Sequence, residues 1–169
     1  MIATALTILI RIELLGNRAP GGHVFDAGTG DGRIPALLAW FEPSRTVYGI
    51  EQDPTLVRQA SENLKSLRQQ GLISGTYTHV IEGDYCDVAT YRACGLDLRK
   101  TTIIFNYPDG NQERLAQFVA EHAPDTYLCL LTHDSTLVLD TLTLRDHHDV
   151  TAGSEPPWQL FVYGTDQRR

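Results

Sequence analysis

The sequence has few cysteines and few basic residues. Its three cysteines, Cys86, Cys94 and Cys129, are an odd number and form no Cys-x-x-Cys pair. This excludes the usual patterns of a disulfide framework and of a zinc ribbon, and it favours a reducing, cytoplasmic compartment. Lysine and arginine together number 14 against 21 aspartates and glutamates, which gives a net charge of −7. Because a phosphate backbone is bound by clustered basic residues, we expect no nucleic-acid partner.

Long hydrophobic runs are also absent. The first 15 residues are apolar, but Arg11 and Glu13 interrupt them, and the run is too short to cross a bilayer and lacks the basic start of a signal peptide. We therefore expect no membrane partner, and we predict an amphipathic helix over residues 1–16 that Gly16 ends. The apolar residues of this helix fit the interface of a homo-oligomer and a cover over a ligand pocket equally well.

The rest of the chain alternates β-rich runs with helical patterns. Its 169 residues, 42% hydrophobic, fit a single domain over residues 1–169. The alternation predicts an α/β fold with a Rossmann-like, doubly wound sheet of seven strands. The strands are predicted over residues 23–27, 46–50, 76–81, 101–106, 126–131, 136–144 and 158–163. The helices are predicted over residues 32–41, 54–70, 87–94 and 111–122.

The C-terminal part departs from this alternation. Only a few residues separate the fifth predicted strand from the sixth, which is too short a connection for a helical crossover. We therefore expect a mostly parallel sheet with an antiparallel C-terminal strand, in which residues 22–132 form the ligand-binding core and residues 133–169 a hairpin-like end. A loop is predicted over residues 146–157. Its adjacent His147 and His148 would point in different directions, so we expect no metal site.

A glycine-rich turn follows the first predicted strand, in the segment VFDAGTGDGR of residues 24–33. Gly28, Gly30 and Gly32 would let the backbone approach a ligand closely. The helix that begins after the turn offers free N–H groups and a positive dipole end. Such a turn suits a nucleotide or the carboxylate of an amino acid.

The second predicted strand ends next to Glu51, 23 residues after Gly28. In a doubly wound sheet a carboxylate at this place lies beside the glycine turn and accepts hydrogen bonds from ribose hydroxyls. The dinucleotide fingerprint would have a third glycine where this chain has Arg33. Asp26 and Asp31 add negative charge, which repels a pyrophosphate and suits a cationic ligand. A dehydrogenase is therefore the least favoured interpretation.

With DAGTGDGR followed by GIEQDP, the chain resembles class I, seven-strand, S-adenosylmethionine-dependent methyltransferases in their motifs I and II. The resemblance covers residues 22–132 and implies S-adenosylmethionine as the cofactor. It also implies that Asp84 accepts a hydrogen bond from the adenine amino group and that Tyr85 packs on the ring. The cofactor-binding residues predicted in this way are Asp26, Gly28, Thr29, Gly30, Asp31, Glu51, Gln52, Asp84, Tyr85 and Asn106.

The fourth predicted strand runs into the segment NYPDGN of residues 106–111. We predict Asn106 and Tyr107 as catalytic residues, because a neutral amide oxygen can orient an amine and an aromatic face can pack against a positive methylsulfonium. The segment is similar in part to the Asn-Pro-Pro-Tyr signature of amino-group methyltransferases. With the later Asn111 and Leu115 it is more similar to small non-SET protein-lysine methyltransferases.

The predicted function is methyl transfer from S-adenosylmethionine to a nitrogen acceptor, with a lysine in a protein as the first choice. One alternative is an amine or hydroxyl of a small metabolite, and a second is a non-catalytic partner subunit that binds the cofactor. An amine that loses its proton on entering the site needs no dedicated base. If a base exists, the candidates are Asp109 and His133.

Overall fold

The computed structural model describes residues 22–73, 77–150 and 157–165. The helix predicted over residues 1–16 lies outside these ranges. The described residues build one seven-stranded sheet with helices packed on it. The strands are β1 (His23–Ala27), β2 (Val47–Glu51), β3 (Thr78–Glu82), β4 (Thr101–Asn106), β5 (Tyr127–Thr132), β6 (Thr143–Asp149) and β7 (Gln159–Gly164). The α-helices are α1 (Arg33–Phe41), α2 (Pro54–Gln69), α3 (Val88–Ala93) and α4 (Gln112–His122), and a short 3₁₀ helix (Leu98–Lys100) precedes β4.

The strand order is β3-β2-β1-β4-β5-β7-β6. Strands β1 to β5 pair in parallel, and β7 lies antiparallel between β5 and β6. This confirms the predicted Rossmann-like, mostly parallel sheet with its antiparallel C-terminal hairpin. The order reverses between β1 and β4, and open α/β sheets bind ligands outside the carboxyl ends of the strands at such a switch point.

The central strands are buried on both faces. All six residues of β4 are buried, and on β1 Val24 and Phe25 point into different hydrophobic clusters. The Val24 cluster includes residues of α1, and the Phe25 cluster includes residues of α3 and α4. Apolar helix faces thus cover the sheet on both sides, as the near-continuous hydrophobic runs of a parallel sheet require.

Helix α2 begins as its sequence predicts. Pro54 occupies the first turn, where no N–H donor is needed. The side chain of Asp53 caps the helix by accepting a hydrogen bond from the backbone N–H of Thr55 at 2.7 Å. Gly71 follows the helix with a φ of 69°, which ends it in a left-handed conformation.

The prediction for the sixth strand is wrong. Residues 136–142 form an irregular loop and β6 begins at Thr143, so four residues of the predicted loop, Asp146 to Asp149, belong to the strand. The leucines that suggest a strand, Leu139 and Leu142, are buried as parts of a loop packed on the core. The real strand is polar because it is an edge strand and almost fully exposed, so it has no hydrophobic signal.

Candidate active site

The glycine turn lies at the carboxyl end of β1. Gly28, Gly30 and Gly32 have φ angles of 76°, 55° and 82°, a conformation that residues with a Cβ adopt only under strain. The backbone N–H groups of Gly28 and Thr29 both donate to the carbonyl of Ile50, at 2.9 and 3.0 Å. The turn is therefore fixed against the end of β2, as its sequence predicts.

A cavity of about 220 Å³ opens beside this turn. It is lined by Asp26, Gly28, Thr29, Gly30, Asp31, Arg33, Ile34 and Tyr107. Six of these residues are among the site residues that the sequence predicts. Arg33 and Ile34 are not, although they stand at the end of the glycine motif and in the first turn of α1, where a ligand at the helix N-terminus would be expected to touch them.

Asp26 supplies a buried carboxyl group to this cavity. It is only 2% exposed, and its Oδ2 accepts a hydrogen bond from the Thr29 hydroxyl at 2.6 Å. Burial raises the pKa of Asp26 to about 7, the Thr29 hydrogen bond opposes this rise, and the nearby charge of Glu51 adds to it. A cation placed beside Asp26 would stabilise the charged carboxylate.

Glu51 is bound to three backbone N–H groups. Its Oε2 accepts from Gly30 at 2.9 Å, and its Oε1 accepts from Gln52 and Asp53 at 2.9 and 3.0 Å. These bonds hold the carboxylate at the glycine turn and leave about one of its four lone-pair positions for a ligand. Gln52 contributes its backbone N–H to this arrangement and its side chain is exposed.

Asp31 and Arg33 form an ion pair at the mouth of the cavity. The Arg33 guanidinium donates to the Asp31 carboxylate at 2.8 Å. The backbone carbonyl of Asp31 in turn accepts from the side-chain amide of Asn63 on α2 at 2.9 Å. These contacts tie the end of the glycine turn to the start of α1 and to the middle of α2.

Asp84 and Tyr85 lie in the loop after β3, outside the lining of the cavity. Asp84 accepts from the backbone N–H of Cys86 at 2.8 Å and from the Arg114 guanidinium at 2.5 Å. Tyr85 is buried, and a Cβ built on Gly28 would lie 3.8 Å from its Cε1 atom. Tyr85 therefore borders the glycine turn, and Asp84 precedes it in the loop after β3.

Asn106 and Tyr107 follow one another at the end of β4 but have different surroundings. The Asn106 side chain is 1% exposed and donates from Nδ2 to the carbonyl of Ala27 at 2.7 Å. Its Oδ1 has no hydrogen-bond partner in the described part of the chain. The Tyr107 ring is half-buried and lines the cavity.

Tyr107 is the first ring of an aromatic strip formed by Tyr107, Trp158 and His133. The ring centroids of Tyr107 and Trp158 are 5.7 Å apart in an edge-on arrangement, and those of Trp158 and His133 are 3.5 Å apart. His133 Nδ1 lies 3.1 Å from the carbonyl of Pro157. Because a carbonyl only accepts, Nδ1 carries the hydrogen, and the Nε2 of a neutral imidazole is an acceptor.

Residues 22–73, 77–150 and 157–165 contain neither a membrane-spanning helix nor a metal-binding cluster. No helix in these ranges is long and apolar enough to cross a membrane. No group of three or more histidine, cysteine, aspartate or glutamate side chains within the same ranges is placed to hold a metal ion.

Comparisons with known proteins give structural neighbours only. No protein-family model matches the sequence, and no curated protein matches it. Among solved structures, an RNA methyltransferase from Salinibacter ruber in complex with S-adenosyl-L-homocysteine has a TM-score of 0.63 and 20% identity, over 96% of this chain and 94% of that one. A predicted O-methyltransferase from Agrobacterium tumefaciens has a TM-score of 0.74 and 14% identity, over 99% and 82% of the two chains. The rRNA methyltransferase aviRa from Streptomyces viridochromogenes has a TM-score of 0.69 and 12% identity, over 94% and 83%. The chain thus has the Rossmann-like fold that these methyltransferases share.

Proposed function

We propose that the protein is a methyltransferase that uses S-adenosylmethionine and transfers a methyl group to a nitrogen acceptor. The observation that carries the proposal is the cavity at the switch point, where a glycine turn stands beside the buried carboxyl of Asp26. The glycine turn thus leaves space for a ligand to approach the protein backbone, and the Asp26 carboxylate supplies negative charge beside that space. The fold shared with solved methyltransferases supports the same choice.

The residues present fit this cofactor. A Cβ on Gly30 would meet no atom within 4 Å, so a ligand can approach the turn closely. Asp26 is a buried acid, and within the described part of the chain no cation is among the groups that shift its pKa; the α-ammonium of the cofactor would supply one. The N-cap residue Gly32 has no side chain to cap α1, so the first N–H groups of that helix can receive the carboxylate of the amino-acid part.

The other predicted cofactor residues would hold the adenosine part. Glu51 has a lone-pair position left for a ribose hydroxyl. Tyr85 borders the turn and Asp84 precedes it in the chain, and the resemblance assigns the adenine contacts to these two residues. This cofactor has no phosphate, whereas a nicotinamide dinucleotide would bring a pyrophosphate next to Asp26 and Asp31.

The mechanism needs alignment more than acid–base chemistry. When bound, the cofactor supplies a methyl group already activated by a sulfonium. Asn106 holds the end of β1 in place through the carbonyl of Ala27, and Tyr107 covers one side of the cavity against water. Holding the acceptor nitrogen in line within such a cavity contributes several kcal/mol (roughly 7–11 in the best-aligned cases). His133, one of the two candidate bases, does not line the cavity and, among the described residues, is connected to Tyr107 only through the Trp158 ring.

For the acceptor we favour the side-chain amine of a protein lysine. The Tyr107 ring offers a face to which an ammonium group is attracted, and Asp31 lines the same cavity. The net charge of −7 also attracts a basic protein segment. A small-molecule amine fits the same chemistry, and two of the compared structures are named as RNA methyltransferases, so a test has to include both classes.

The test is transfer of radiolabelled methyl from S-adenosylmethionine to a panel of histones, total RNA and small amines. We expect label in the histones, and we expect transfer to fall several-fold between about 20 and 300 mM salt, because screening weakens the attraction between opposite charges. The Tyr107→Ala variant should lose at least about 90% of the transfer, since it removes an aromatic side of the cavity. The matched control is Tyr77→Ala, which removes an exposed tyrosine next to the start of β3 and should transfer normally.

The outcomes separate the alternatives. Label in small amines with no dependence on salt would favour a small-molecule enzyme, and label in RNA would overturn the choice of lysine. Cofactor binding with no transfer to any class would favour the non-catalytic partner subunit.

A further inference from the structure

Two hydrogen bonds connect the loop after β3 with the segment after β4. The Tyr85 hydroxyl donates to Asp109 Oδ2 at 2.6 Å, and Arg114 Nη2 donates to Asp84 Oδ2 at 2.5 Å. Asp109 belongs to residues 107–111, which we call the acceptor loop, and Arg114 belongs to the first turns of α4. The two neighbours Asp84 and Tyr85 thus contact both the acceptor loop and the helix that follows it.

Tyr85 is held between the glycine turn and the acceptor loop. Its Cε1 faces Gly28, whereas its hydroxyl reaches Asp109. Its backbone carbonyl accepts a hydrogen bond from the Tyr91 hydroxyl at 2.7 Å, which fixes the position of the residue. Burial raises the pKa of the Tyr85 phenol, and the hydrogen bond to Asp109 raises it further, so the phenol keeps its proton and donates.

Both carboxylate oxygens of Asp109 are engaged. Oδ2 receives the Tyr85 hydroxyl, and Oδ1 accepts from the backbone N–H of Asn111 at 3.0 Å. These contacts fix the loop at its middle and near its end. The loop begins with Tyr107, the residue whose ring lines the cavity.

We propose that Asp109 is a positioning residue, which holds the acceptor loop and its Tyr107 ring against the glycine turn by accepting the hydrogen bond from Tyr85. The proposal rests on the proposed function, because it takes this loop as the acceptor side of a methyl-transfer site. In this proposal the Tyr85 ring borders the cofactor, and the Tyr85 hydroxyl holds the acceptor loop in position through its hydrogen bond to Asp109. It also gives Asp109 a role other than that of a general base.

The test compares Tyr85→Phe, Asp109→Ala and Asp109→Asn with the wild type. Amide hydrogen exchange of a peptide covering the acceptor loop should be at least about fivefold faster in Tyr85→Phe and Asp109→Ala, because a local restraint is lost. Asp109→Asn keeps an oxygen that accepts from Tyr85, so it should restore slow exchange in part. S-adenosylhomocysteine, titrated by calorimetry, should bind all three variants within about threefold of the wild type, since each keeps an aromatic ring at position 85.

A matched control is Tyr163→Phe. Tyr163 is also buried, and its hydroxyl donates to the carbonyl of Leu137 in another loop at 2.9 Å. This variant should leave exchange in the acceptor loop unchanged. Methyl transfer by Tyr85→Phe should show a lower kcat with an unchanged KM for S-adenosylmethionine, a split that a general loss of stability would not produce.

Unchanged exchange in Tyr85→Phe, or an equal acceleration in Tyr163→Phe, would overturn the inference while the proposed function stands. Failure of the wild type to bind S-adenosylhomocysteine would overturn the proposed function, and the inference with it. The calorimetric and exchange measurements therefore distinguish the two failures.

Discussion

Asp26 is a buried acid whose charged form is destabilised by its surroundings. Its carboxyl is buried and receives a hydrogen bond from Thr29. The pKa of this group is about 7 in the folded protein against an ordinary value of 3.8. Between these values the folded protein keeps a proton that the unfolded chain has released, so the free energy of unfolding decreases as the pH rises from about 4 to about 7. Ionisation of this carboxyl thus lowers the free energy of unfolding of the protein alone, and a cation beside it would stabilise the charged form.

The Asp26→Asn variant separates stability from binding. The amide of this variant stays neutral at every pH. Its free energy of unfolding should therefore exceed that of the wild type by at least roughly 1 kcal/mol at pH 8 and equal it near pH 4. Each kcal/mol corresponds to about 2–4 °C in Tm for a chain of this size. Its affinity for S-adenosylhomocysteine at pH 7.5 should be at least about tenfold lower, because the ligand ammonium loses its partner. Thermal melts at the two pH values and calorimetry check both effects. Equal stability of variant and wild type at pH 8, or unchanged affinity, would contradict this account of Asp26.

At the residue scale, the sequence predicts which residues line the cavity better than it predicts the contacts between side chains. The glycine motif predicts that Asp26, Gly28 and Gly30 share one cavity, since they are close in the chain and the turn is locally determined. The partnership of Arg114 with Asp84 is not predictable, because it joins residues 30 positions apart through a helix orientation that only packing sets. The burial of Asn106 beneath the turn is of the same kind, since it depends on the register of β4 against β1.

At the scale of elements, Gly32 joins the glycine turn to the packing of two helices. Its φ is 82°, and a Cβ at this position would lie 3.0 Å from the Ala60 Cβ and 3.2 Å from the Ala60 Cα on α2. The residue therefore needs glycine both for its backbone conformation and for the close approach of α2 to the start of α1.

The Gly32→Ala variant should be destabilised more than Gly71→Ala. Both positions have a positive φ, which costs roughly 1–2 kcal/mol for alanine. A Cβ on Gly71 would meet no atom within 4 Å, whereas on Gly32 it meets a helix backbone, so we expect about 1 kcal/mol more loss for Gly32→Ala. Urea denaturation measures both variants. Equal losses would show that the contact with Ala60 is relieved without cost.

The elements that the sequence predicts well are those with a strong local or periodic signal. Strands β1 and β4 have the predicted bounds, and helix α2 is marked at its start by Asp53 and Pro54 and after its end by Gly71. Strand β6 is misplaced by the sequence pattern because an exposed edge strand lacks the apolar residues on which strand prediction depends, while a buried loop before it has them. Its position follows from pairing with β7, which is a long-range property of the sheet.

At the scale of the whole molecule, fold and charge lead to the same interpretation. The switch point of the sheet brings the glycine turn, Glu51 and the end of β4 to one rim, although these parts are far apart in the sequence. A net charge of −7 repels phosphate-rich ligands and attracts cationic ones on average, and our proposal of a cationic cofactor makes use of this. We therefore propose that the cavity binds an adenosyl ligand that carries a cationic group and no phosphate.

Calorimetric titration with S-adenosylmethionine, S-adenosylhomocysteine and NAD tests this claim most directly. We expect the two adenosyl ligands to bind and NAD not to bind. We also expect the Glu51→Ala variant to bind them at least about tenfold more weakly, because the carboxylate at the glycine turn is lost. Glu62→Ala, which removes an exposed glutamate of α2, is the matched control and should bind as the wild type does. Tight binding of NAD, or no binding of either adenosyl ligand, would contradict the account.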